Sequence, residues 1–82
     1  MYSLSQLYAQ LGAFRAKLAE ATEHTNRVVE LLDEARETIV TAHEQAQPWL
    51  PPELAIATDR LRQDSDRLRA ADDLVSGYQA RL

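Results

Sequence analysis

The chain has no cysteine, only two glycines and three prolines, and a single lysine among its nine basic residues. Without cysteine there is neither a disulfide framework nor a thiolate zinc site. The two glycines are far apart, which leaves no glycine-rich loop to cradle a phosphate. Met1-Tyr2-Ser3-Leu4-Ser5-Gln6 lacks the basic patch, apolar run and small-residue cleavage site of a secretory signal. Long apolar runs are missing too. Val28-Val29-Glu30-Leu31-Leu32 is the densest stretch, and a membrane span needs roughly 20 residues. Positive charge in excess is also absent, with 13 acidic against 9 basic residues and a net charge of -4. Arg60, Arg62, Arg67 and Arg69 interleave with Asp59, Asp64, Asp66, Asp72 and Asp73, so little positive field remains for a nucleic acid or an anionic lipid. The cytoplasm and export without a cleavable signal peptide both stay open as locations.

What the chain does have is an apolar seam at heptad spacing. It runs through Leu4, Leu7, Leu11, Phe14, Leu18, Ala21, Thr25, Val28, Leu32, Ala35, Ile39, Ala42 and Ala46, then Leu54, Ala57, Leu61, Asp64, Leu68, Ala71, Val75, Tyr78 and Leu82. The single interruption is Pro48-Trp49-Leu50-Pro51-Pro52, where no straight helix continues. The expected fold is all-α: one domain over residues 1–82, an antiparallel, coiled-coil-like hairpin of two helices. Helix 1 is expected over about 3–47, the turn over 48–51 and helix 2 over about 52–81. Ser3 and Gln6 have the spacing of a capping box. Pro52 suits the first turn of a helix and Glu53 complements its positive end. Asp59-Arg60-Leu61-Arg62 recurs as Asp66-Arg67-Leu68-Arg69, a seven-residue repeat with leucine on the seam and charge beside it.

Two helices share only one interface, and a chain of 82 residues buries about 60 to 65% of its unfolded surface. Association is therefore expected, in its simplest form a two-fold dimer of hairpins making a four-helix bundle, with an unlike helical partner of similar shape as the alternative. Closing the hairpin through a turn of four residues sets Leu82 opposite Phe14 or Ala21. The start of helix 1 is then unpaired, and Leu4, Leu7, Tyr8, Leu11 and Phe14 become the expected partner interface. Val29 and Leu31 flank the seam and widen the apolar face, so they join that set.

Reactive constellations are scarce. Asp64 is the one acid in the helix 2 seam; it reads as a register-setting residue, or one that reaches Arg36, Arg60 or Arg67, since no second catalytic group accompanies it. His24 and His43 are the only imidazoles. Glu20 and His24 share a helix face, and Glu23 and Glu44 are near, yet no His follows a Glu by three as in di-iron bundles. No metal site, cofactor or catalytic residue is expected, and an enzyme is not expected; a metal-binding bundle is the least favoured alternative.

Trp49 stands between prolines at the expected hairpin tip, where it plugs the bundle end with Leu50 or serves recognition. A short acidic helical hairpin, free of cysteine and signal peptide, with Trp at the mid-chain turn, resembles the WXG-type (ESAT-like) small proteins of type VII secretion. The turn here is Trp49-Leu50-Pro51, with Pro51 where those proteins have Gly. Leu82 follows Tyr78 by four residues where their export signal has an acid. The resemblance implies a helical hairpin, dimers with itself or a similar protein, and a role in secretion. The function expected from both lines is a non-enzymatic protein–protein interaction module, with a cytosolic adaptor or assembly subunit as the alternative.

Overall fold

A computed structural model describes residues 3–42 and 51–82 of the chain. They form two helices, α1 over Leu4–Ala42 and α2 over Pro52–Ala80, packed against each other as a hairpin with no strand among the described residues. The expected continuation of helix 1 to 47, and Pro48, Trp49 and Leu50 of the turn, lie outside the described residues; so does His43.

The helix starts follow the local chemistry. The Ser3 N–H donates to Gln6 Oε1 at 2.8 Å and the Gln6 N–H to Ser3 Oγ at 3.1 Å, a reciprocal capping box that satisfies donors the first turn leaves free. At α2 Pro51 caps with extended backbone, Pro52 fills the first helical position and Glu53 lies in the first turn. Gly12 does not break α1, which is continuous through it, and a Cβ there would meet nothing within 4 Å.

The register differs from the one a four-residue turn implies. The Tyr8 hydroxyl donates to the Gln79 carbonyl at 3.1 Å, and Arg15 Nε donates to Asp72 Oδ1 at 2.8 Å. Both pairings put Leu82 level with the first turn of α1, not with Phe14 or Ala21. The unpaired start of 13 to 20 residues does not exist. At the other end Leu32, Asp33 and Arg36 line a groove with Leu54, Ala55 and Thr58.

The seam of α2 differs as well. Leu54, Leu61, Leu68 and Val75 are half-buried as expected, but between them the buried positions are Thr58 and Ser65, with Asp72 and Gln79 half-buried; of the expected Ala57, Asp64, Ala71 and Tyr78, the two alanines are half-buried and Asp64 and Tyr78 are exposed. Both phases have steps of three and four, so spacing alone does not separate them. Thr58 and Ser65 are the buried residues, at 8% and 4% exposure, and no apolar side chain is buried among the described residues. Thr58 Oγ1 donates to the Leu54 carbonyl, as Thr22 and Thr25 do to Leu18 and Ala21, each at 2.8 Å. Ser65 Oγ donates to Asn26 Oδ1 at 2.8 Å across the hairpin. These hydroxyls are satisfied, and they occupy positions where leucine would exclude more water.

The outcome is long and thin, 65 × 18 × 14 Å with a radius of gyration of 19.0 Å, against about 12 Å for a compact chain of this length. Its accessible surface is 6471 Å², where about 5,000 Å² is usual for a monomer of this mass.

Replacing Ser65 with Ala leaves Asn26 without its cross-helix donor and is expected to cost about 1 kcal/mol. Asn26→Leu combined with Ser65→Ala removes both polar partners and is expected to be close to neutral or stabilising. Urea midpoints of the two variants beside the wild type check both; a double variant weaker than the single one contradicts the account.

Candidate interaction face

Two antiparallel helices divide the hairpin into two sides, and the pairings above show which residues share each. Tyr8 and Arg15 belong to a row on α1 that continues through Thr22; they meet the row of Ser65, Asp72 and Gln79 on α2. These rows lie on one side of the central leucines. The rows beyond the leucines in the other direction are Leu7, Phe14, Ala21, Val28 and Ala35 on α1, and Ala57, Asp64, Ala71 and Tyr78 on α2. In an antiparallel pair both of these fall on the opposite side. The hairpin is thus amphipathic across its thickness, with a polar side and an apolar side.

The polar side is held by ions and amides. Arg15 grips Asp72 with two nitrogens, Nε at 2.8 Å and Nη2 at 3.3 Å, and its Nη1 donates to Gln79 Oε1 at 3.3 Å. Arg62 reaches Asp33 at 3.4 Å and Asp59 at 3.9 Å. Shallow grooves on this side run past Asn26, Val29, Arg62, Ser65 and Arg69, and past Leu18, Thr22, Arg69 and Asp72. The Arg15 hydrogen bond, with its charge, holds the Asp72 carboxyl below the usual carboxylate range, against a smaller upward pull from burial, and the same bond raises Arg15. The bidentate geometry favours the ionised pair.

The apolar side has no comparable polar fastening. Phe14 is 49% exposed, Tyr78 46% and Leu74, beside Tyr78 on the next row, 75%. Leu31 and Ile56 are exposed towards the closed end, and Leu4 and Leu82 at the open end. Of the residues expected at a partner interface, Phe14 and Leu31 are exposed on this side, Leu7 is half-buried at its edge, and Leu4 is exposed at the end of the leucine row. Leu11 falls instead on the leucine row that faces α2, and Val29 lines a groove with α2 residues on the polar side. Tyr8 is split, its ring partly exposed and its hydroxyl bonded to Gln79. Sequence reasoning missed Leu74 and Ile56 because both fall off the heptad seam; the signal for Leu74 is a large apolar residue on the row of Glu53, Arg60, Arg67 and Arg81.

Asp64 is exposed and pairs with Arg67 at 3.6 Å, one of the reaches expected for it. His24 sits in an open surface groove with Glu20, Glu23 and Glu30. Among the described residues no three candidate metal ligands gather, and no helix is long and apolar enough to cross a membrane. No family model, curated protein or solved structure matches the chain.

The depressed Asp72 carboxyl has a direction in pH. Its contribution to stability is complete above the ordinary carboxylate pKa, near 4, and is lost as pH falls through the lower folded value. Asp72→Asn is therefore expected to be less stable than the wild type at pH 7 and to lose less on acidification below about pH 4. Thermal melts of both proteins across that range check this; parallel acid limbs contradict it.

Proposed function

We propose that the chain is a non-enzymatic protein–protein interaction module whose apolar side is covered by a second helical protein. The observation that carries this is the absence of any buried apolar side chain among the described residues, together with the exposure of Phe14, Leu31, Leu74 and Tyr78 at one side. A hairpin with a polar seam gains little from its own interface, and large apolar side chains left in water are worth about 1.5 to 3 kcal/mol each when buried. A partner supplies that burial. The hairpin outline is also what the resemblance to WXG-type proteins implies, and a place beside type VII secretion is proposed with it; an adaptor or assembly subunit acting inside the cell is the alternative. Appearance of the chain in culture supernatant, without cell lysis, favours the first over the second.

The module is tested with Phe14→Asp combined with Leu74→Asp. At its natural expression level the wild-type chain is expected to elute from gel filtration in an assembly larger than its own 9.3 kDa. The double variant is expected to elute alone with its helix signal in circular dichroism retained, because Phe14 and Leu74 are exposed, at 49% and 75%. A wild-type chain that already elutes alone overturns the proposal.

A further inference from the structure

We infer that the outward stripe of α2 that carries Arg60, Arg67, Leu74 and Arg81 is a docking surface for an amphipathic helix whose acidic residues lie along one edge of its apolar face. The inference rests on the interaction-module proposal and adds to it the chemistry of the partner and the line along which it lies.

Exposure and charge carry it. The row of Arg60, Arg67, Leu74 and Arg81 and the neighbouring row of Ile56, Ala70 and Gly77 are exposed along their whole length, so the hairpin itself uses neither. Leu74 is 75% exposed and Ile56 47%. In a chain of net charge -4, Glu53 in the first turn is the one acid on these two rows. Asp64, from the row on the Tyr78 side, pairs with Arg67 at 3.6 Å, while Arg60 and Arg81 have no ion-pair partner among the described residues. Two unpaired guanidinium groups on one line, with an exposed leucine between them, match carboxylates at the same spacing and an apolar contact in the middle.

Shape and spacing favour a helix over a broad anionic surface. Arg60 and Arg67 stand two turns apart, about 10 Å, with Arg81 about 20 Å further on, and a second helix returns a side chain to one edge at the same interval. Ala70 and Gly77 lie beside the larger residues of the arginine row, and a Cβ at Gly77 would meet nothing within 4 Å. The partner's apolar side chains therefore have room next to Leu74. Asp59, Asp66 and Asp73, all exposed, border the Ile56 row on the side away from the arginines. They repel a membrane or nucleic acid that spreads over both edges, and they are offset from a narrow helix centred on the arginine row. The stripe is about 40 Å long and one helix wide, roughly 400 Å², half the ~800 Å² per partner of a standard interface, which is the scale of a weak and reversible contact.

Two synthetic helical peptides of one length, with the same leucine face and either Glu or Lys along one edge, serve as probes in fluorescence anisotropy with the purified chain. The Glu peptide is expected to bind about tenfold more tightly than the Lys peptide and to weaken as salt is raised. Arg60→Glu combined with Arg81→Glu is expected to lower its affinity about tenfold with the helix signal retained, whereas Glu23→Gln combined with Glu34→Gln, exposed on α1, leaves it unchanged. Equal binding of the two peptides, or a Glu peptide that keeps its affinity for the arginine double variant, overturns the inference. So does displacement of the peptide by phosphatidylglycerol vesicles, or self-association of the purified chain that the arginine double variant abolishes. If Phe14→Asp with Leu74→Asp dissolves the cellular assembly and Arg60→Glu with Arg81→Glu leaves it intact, the interaction module stands and only this inference falls.

Discussion

The bidentate contact of Arg15 with Asp72, seconded by the Asn26–Ser65 bond and by Tyr8 on Gln79, sets where α2 lies along α1. Leucines at heptad spacing pack comfortably in any register that keeps them facing, and a slip of seven residues exchanges one leucine for another at small cost. A slip parts Arg15 from Asp72 and leaves Asn26 and Ser65 without each other. Polar groups inside a seam add little net stability and penalise wrong pairings heavily. The residues that the hairpin has in place of a better core are the ones that fix its geometry.

From that register the rest follows. With Ser65 and Gln79 on the seam, Asp64 and Tyr78 are turned outward, and with Arg15 on it Phe14 is too. The apolar rows come to lie on a single side because the two helices run antiparallel and are both right-handed. Had the seam taken the fully apolar phase, Phe14 and Tyr78 would have faced into the hairpin, and the outer surface would have been polar nearly all round. Polar residues within the hairpin and apolar residues outside it are two consequences of one choice of phase.

Size limits what this chain does alone. Two helices give one interface, and this one buries threonine and serine but no apolar residue among those described. The outline is extended, with a surface well above that of a compact chain of equal mass. The grooves on the polar side are open and lined in part by charged residues such as Asp33, Arg62, Arg69 and Asp72.

The sequence by itself determined that there are two helices, where each begins, and that they close into a hairpin. The capping pair Ser3 and Gln6, the prolines at 51 and 52, and the leucines at 11, 18, 32, 54, 61 and 68 act through local backbone chemistry and helical spacing, which a linear reading contains. Of the exposed apolar residues, Phe14 and Leu31 were legible as large side chains beside the leucine row. Only the tertiary structure decided the register and the phase of the seam. Two heptad phases share the same leucines, and the choice between Asp64 and Ser65, or Tyr78 and Gln79, is made by partners more than 35 residues away in the chain. Spacing records which residues share a row; it does not record which row another helix will cover.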